Sequence, residues 1–203
     1  QVFYINNKTF YAIEGSIFTA GSLVQWLRDQ LGIISNSSEI ESLASTVKDS
    51  GGVTFIPALS GLGAPYWNPK ATGSILGITR GTEKGHIARA ALEGIAIRTY
   101  EIIQNIKKDA NTQFTNLKVD GGASNNNLLM QIQCNLIDAN VIRPVITETT
   151  ALGVGYLAGL GSGYWKSIED LKNIWKHDRK FIPEISNKEN ILSKWKETIN
   201  VLY

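Results

Sequence analysis

Apolar positions along this chain follow two rhythms, one near 3.6 residues and one near 2, which predict helices and strands respectively. A β-type run over residues 9–18, broken at Gly15, leads to a helix over 22–31 with Leu23, Trp26, Leu27 and Leu31 on one face, stopped by Gly32. Ser38 followed by Glu41 predicts a capping box for a second helix reaching about Lys48, with Gly51 and Gly52 ending it before a buried-type strand at 53–57. The loop SGLGAPYWNP at 60–69 combines Gly61, Gly63, Pro65 and Pro69 with Tyr66 and Trp67, so little backbone freedom remains if the rings pack. A strand at 73–79 precedes the longest helix, about 86–107, with Ala88, Ala91, Leu92, Ile95 and Ile102 at helical spacing.

Beyond that helix the order is strand (117–120), helix with a stripe of Leu128, Leu129, Ile132 and Leu136, strand (141–143), and a helix of small residues at 151–160 suited to close packing. Strand-helix alternation predicts an α/β fold: a partly parallel, mixed sheet with helices on its faces, whose ligands gather beyond the carboxyl ends of strands. From Ser167 onward, charged residues surround Trp175, Phe181 and Trp195, and helices packed on the domain edge are expected.

At 203 residues, with 43% hydrophobic and 19% charged positions, the chain suits a single α/β domain. Twenty basic and 18 acidic residues leave a formal charge of +2, mostly interspersed, so no broad electrostatic footprint for nucleic acid or anionic lipid is visible. The small basic cluster Lys172, Lys176, Arg179 and Lys180 reads as a solvated helix face. No apolar run is long enough for a bilayer helix. Cys134 is the one cysteine, so no internal disulfide forms, and with His86 and His177 it leaves too few soft ligands for zinc. A reducing cytoplasm is the expected compartment. The opening Gln1-Val2-Phe3-Tyr4 is strand-like and lacks an initiating Met, which suggests a piece of a longer protein.

The most informative stretch is Val119 to Asn127, where a strand ends in paired glycines just before a helix. Two residues without Cβ let a bound group come close to the backbone, and the N–H groups of the following helix favour an anion such as phosphate. Strand-Gly-Gly-helix turns also serve as plain connections. Asp120 is expected to order that turn rather than act as a base, Arg28 and Asp29 to be surface residues, and Glu93 to have a nearby partner on its helix. His86 suits a surface or capping role, Lys84 suits solvent, Cys134 suits a small buried site, and Tyr66, Trp67, Tyr164 and Trp165 suit packing anchors.

Taken together, these segments resemble the FGGY family of carbohydrate kinases, carboxyl-terminal domain. The most specific part is GSILGITRGTEKGHIARAALEG (73–94), similar to the family's second signature; AIEGSIFTAGSLVQWLRD (12–29), FIPALSGLGAPYWNP (55–69) and ETTALGVGYLAGLGSGYW (148–165) add to it. The GLGAPYW and SLVQWLRD wording sides with the glycerol kinase branch over xylulose or gluconate kinases. The resemblance implies an actin-like, ribonuclease H-like ATPase domain that uses ATP with Mg2+ and takes glycerol as acceptor. Carried over position by position, it implies cofactor-binding roles for Gly21, Gln25, Gly122 and Asn126. No residue of this chain is implied as catalytic or metal-binding. The catalytic carboxylate, the phosphate loop and the polyol-gripping residues belong to an amino-terminal domain upstream of Gln1, so that residues 1–203 form one wall of a cleft. A homo-oligomer is left open, as are a kinase for another polyol or ketose and a noncatalytic actin-like module that uses nucleotide only to set its shape.

Overall fold

The computed structural model describes residues 3–5 and 7–203. The first two positions of the strand-like opening, Gln1 and Val2, therefore lie outside the described residues. Strand β1 (Phe3–Ile5) pairs antiparallel with β2 (Lys8–Phe10). The β-type run expected over 9–18 ends at Phe10, and residues 11–17 carry no regular structure, with Tyr11 and Ile13 exposed.

Helix α1 (Gly21–Asp29) buries Leu23 and Leu27 of the expected face together with Val24, but Trp26 is half-buried and Leu31, beyond the helix end, is exposed; Gly32 in the left-handed region closes the turn behind it. Helix α2 (Glu39–Ala44) is shorter than expected. The Ser45 and Thr46 hydroxyls donate back to the carbonyls of Glu41 and Leu43, which competes with continued helix. The predicted capping box does not form either: Ser38 makes no side-chain cap bond, and the Glu41 carboxylate is committed to another helix.

Helix α3 (Lys84–Asp109) is the platform for the rest. It packs against α2, against α4 (Asn127–Ile137) and against β3 (Thr54–Ile56), which pairs antiparallel with β4 (Ser74–Leu76). Two glycines allow this closeness. A Cβ on Gly94 would lie 2.4 Å from the Phe55 carbonyl oxygen, and one on Gly85 would lie 3.1 Å from the Leu43 carbonyl oxygen. Ala88, Ala91, Leu92 and Ala96 are fully buried on the same helix. At its start, Glu83 and His86 form a reciprocal capping box, the His86 Nδ1 accepting from the Glu83 N–H at 3.0 Å, so the capping role expected of His86 is met.

The mixed sheet has three strands: β5 (Asn116–Lys118) parallel to β6 (Asn140–Pro144), and β6 antiparallel to β7 (His177–Phe181). Leu117, Val141 and Phe181 fall in one row, and α4, which connects β5 to β6, packs on β6 and β7. Strand β7 stands where helices alone were expected, between α6 (Ile168–Ile174) and α7 (Lys188–Leu202). Four of its five residues are exposed, so it carries no apolar alternation to announce it. In consequence the basic cluster is not one helix face: Lys172 lies on α6, whereas Arg179 and Lys180 lie on β7.

A buried polar knot fastens loop and tail to the platform. Glu101 on α3 accepts from the Tyr66 hydroxyl, from Arg98 and, at 2.9 Å, from Trp195 Nε1 of α7; Arg98 also donates to the Ala64 carbonyl at 2.6 Å. Tyr66 is thus the anchor it was expected to be. Trp67 and Tyr164 are not, at 71% and 79% exposed. Trp165 meets Tyr156 and Tyr164 edge-on, against Gly159 of α5 (Thr149–Gly161). Helix α5 is apolar on every side, yet none of its residues is buried, so the close packing its small residues suggest is not made among the described residues.

Gly94→Ala is expected to cost about 1–3 kcal/mol, because the new methyl meets backbone that has no rotamer to yield. Gly21→Ala, whose methyl meets open space, should stay within about 1 kcal/mol of the parent. Urea midpoints check both, and an unchanged midpoint for Gly94→Ala would show that α3 does not rest on β3 as described.

Candidate functional site

The paired glycines stand at the carboxyl end of β5, as the strand-turn-helix pattern predicts. The ladder continues one residue past the strand, with the Val119 N–H donating to Ile142 at 3.0 Å. Gly121, at φ +75°, then turns the chain, and its N–H donates to the Thr147 carbonyl at 2.8 Å. Gly122–Asn125 forms one 3-10 turn, held from beneath by the buried Ser124 hydroxyl donating to the Gly121 carbonyl at 2.7 Å. Above it there is space: a Cβ on Gly121 or Gly122 would meet nothing within 4 Å. Among the described residues, no protein acceptor takes the N–H groups of Gly122 or Ala123.

Asn126 caps α4, its Oδ1 accepting from the Leu129 N–H at 2.8 Å. That bond orients the amide and leaves Nδ2 as a shielded donor without a partner. Such a group is costly when buried and marks a place where a ligand or water completes the structure.

The expectation that the following helix offers its N–H groups to an anion is corrected here. Every donor of the first turn of α4 is already taken. Asn127 and Leu128 donate to the Glu41 carboxylate at 3.0 and 3.3 Å, Leu129 donates to the Asn126 side chain, and Met130 donates to the Asn126 carbonyl at 3.1 Å. A phosphate is left the 3-10 turn, not the helix end. Glu41 is the residue that reading along the chain missed. The Ser38-to-Glu41 spacing did flag a capping carboxylate, but it could not say that the capped helix lies 86 residues away.

Gly21 and Gln25 sit one turn apart on an exposed face of α1. The helix start carries no side-chain cap, and the buried hydroxyl of Thr19, just before it, has no partner. No hydrogen bond joins this pair to Gly122 and Asn126. The two pairs are linked indirectly: Arg28 of α1 donates at 3.2 Å to Ser37 in the segment leading into α2, and Glu41 of α2 holds the start of α4.

The remaining titratable groups have structural partners. Asp120 accepts from the Thr149 hydroxyl at the start of α5, so it orders the turn. Arg28 and Asp29 pair with each other at the surface, Lys84 is exposed and Cys134 is buried, as expected. Glu93 is 5% exposed and pairs with Arg89 at 3.0 Å; burial pushes its carboxyl above the ordinary value, and Arg89 pulls it part of the way back. Among the described residues no group of three or more His, Cys, Asp and Glu could hold a metal ion. None of their helices is long and apolar enough to cross a membrane.

Two cavities of about 550 and 440 Å³ open elsewhere, the larger between α3 and α7 beside Glu93, the smaller beside Trp26 and Phe55. Neither is lined by Gly21, Gln25, Gly122 or Asn126.

The sequence model described as "FGGY family of carbohydrate kinases, C-terminal domain" matches residues 3–162. A glycerol kinase of Saccharolobus islandicus is 55% identical over 195 residues, which is 95% of this chain and 39% of that protein. Glycerol kinase 2 of Thermotoga maritima is 52% identical over 198 residues, 97% of this chain and 40% of that protein. The chain therefore spans about two fifths of the length of these curated relatives. Among solved structures, Plasmodium falciparum glycerol kinase with ADP superposes with a TM-score of 0.81 at 33% identity, over 90% of this chain and 37% of that one. Gluconate kinase from Lactobacillus acidophilus, at TM-score 0.76 and 24% identity over 90% of this chain and 38% of that one, shares the fold. The expected actin-like, ribonuclease H-like architecture is thus the one present.

Glu93 binds its proton more tightly folded than unfolded, so its contribution to stability is present below the unfolded pKa and is lost as pH rises through the folded one. Glu93→Gln should remove that fall. Melting temperatures followed from acid to neutral pH check it: the wild type should lose stability relative to the variant as pH rises, and parallel curves would contradict it.

Proposed function

Because this chain belongs to the FGGY family of carbohydrate kinases, as a carboxyl-terminal domain, we propose that it supplies the nucleotide-side wall of a cytoplasmic glycerol kinase. The complete enzyme would transfer the γ-phosphoryl group of Mg-ATP to a terminal hydroxyl of glycerol, giving glycerol 3-phosphate. Glycerol is favoured over another polyol or ketose by the 55% identity to a glycerol kinase, against 24% to gluconate kinase and 23% to xylulose kinase of Lactobacillus acidophilus.

The observation that carries the reading is the Gly122 turn: open space at both glycines and two unengaged N–H groups, followed by the N-cap Asn126, whose buried Nδ2 has no partner. Bare N–H groups at a turn suit a phosphate oxygen, and the amide suits a polar edge of the nucleotide. Gly21 permits close approach from the other side, with the Gln25 amide on the same helix face. Mg2+ would come as part of the nucleotide complex and neutralise phosphate charge. This wall binds and orients; proton removal from the acceptor hydroxyl falls to the upstream domain, since Asp120 is engaged by Thr149. The exposed apolar surface of α5, with Val154 at 65% and Leu157 at 59%, suits a chain with a further domain to cover it.

Phosphoryl transfer of this kind depends on positioning by both walls, so residues 1–203 alone should bind ADP weakly and not turn over glycerol. Steady-state phosphorylation of glycerol by the purified 203-residue chain would refute this. In the full-length protein Gly122→Val should abolish the calorimetric heat of ADP binding, whereas Lys172→Ala should leave it intact. Absence of ADP heat in the unaltered full-length protein would point to a noncatalytic module. Preference for xylulose over glycerol would reassign the substrate.

A further inference from the structure

We propose that Glu41 is a positioning residue for nucleotide, the part that sets the Gly122–Asn126 turn in register with α1. This rests on the nucleotide-site reading above and names a residue outside it. A capping carboxylate usually comes from the helix it caps or from the residue before it. Here it comes from α2 and accepts two consecutive backbone N–H groups of α4, from Asn127 and Leu128.

Four consequences meet at the site. The carboxylate pins the first residues of α4, and so pins Asn126, which is the N-cap of that helix. With Asn127 and Leu128 satisfied by Glu41, the Asn126 Oδ1 serves the one remaining orphan donor, Leu129, and Nδ2 is left buried without a partner. The negative charge also occupies the positive end of α4, so that polyphosphate is steered to the Gly122 and Ala123 N–H groups instead. Arg28 of α1 also donates to Ser37, the residue before the Ser38 N-cap of α2, so the segment leading into α2 is fastened to α1 and Glu41 links the Gly21–Gln25 face to the turn.

The test uses the full-length protein and three substitutions. Glu41→Ala removes both bonds, Glu41→Gln keeps the shape and one acceptor without the charge, and Ser38→Ala is the control because Ser38 makes no cap bond. Glu41→Ala should raise KM for ATP about tenfold and Glu41→Gln by less, with KM for glycerol unchanged in both and Ser38→Ala like the parent. A cap that matters only for stability would lower the melting temperature and the active fraction while leaving both KM values alone; that result overturns the proposal. Should Glu41→Ala fail to fold, Glu41→Gln decides alone, and a parental KM for ATP in that variant sinks the idea. Gly122→Val separates the two levels of inference. If it abolishes ADP binding while Glu41→Gln leaves KM for ATP unchanged, only the role of Glu41 fails; if Gly122→Val binds ADP normally, the nucleotide site itself is misplaced.

Discussion

The backbone of α3 lies directly on β3, with no side chain between Gly94 and the Phe55 carbonyl, and the positions of the other elements follow from that closeness. At such a distance no side chain fits at Gly94, and Ala88, Ala91, Leu92 and Ala96 of the same helix are fully buried. Helix α2 then nests on Gly85 at one end, and α4 packs along the same platform. Glu41 reaches the start of α4 because both helices are held by the third. A candidate site made from two helix ends far apart in sequence is therefore a product of one well-packed helix that belongs to neither.

Polar groups inside this framework are nearly all matched, and the exceptions are informative. Glu101 gathers a phenol, an indole and a guanidinium, so its burial on α3 is compensated several times over. Arg143 does similar work at the sheet, donating to the Ser124 carbonyl below the glycine turn and to Asp178 on β7. Against that background, three buried side-chain atoms among the described residues lack a partner: Thr19 Oγ1, Asn126 Nδ2 and Gln133 Nε2. The first lies two residues before Gly21 and the second caps the helix after Gly122. Two of the three unmatched atoms thus fall beside the residues proposed here to face nucleotide, where a ligand or water can complete the hydrogen bonding.

Openness is the other property of this wall. Neither of the two cavities is lined by the glycine turn or by Gly21 and Gln25 of α1, and α5, joined to the turn through Thr147 and Thr149, shows apolar side chains to solvent. Surfaces of that kind fit a domain that makes half of a cleft. The relatives, of which this chain spans about two fifths, have the length to provide the other half.

Much of this was legible residue by residue. The apolar stripes of α1, α3 and α4, the glycine turn after β5 and the capping role of His86 all depend on neighbours within a few positions, and local spacing carries that information. The nucleotide-facing roles of Gly21, Gln25, Gly122 and Asn126 are proposed from family wording and were not read from their own chemistry. What tertiary structure decided is every feature whose energy depends on a distant partner. Strand β7 exists because β6 offers it an edge, not because HDRKF alternates. Tyr66 is anchored because Glu101, 35 residues along the chain, accepts from its hydroxyl, whereas its neighbour Trp67 is exposed. Glu41 looks like a cap for its own helix and serves another, since a carboxylate goes to whichever unsatisfied N–H groups folding brings within reach, and sequence spacing says nothing about those 86 residues away.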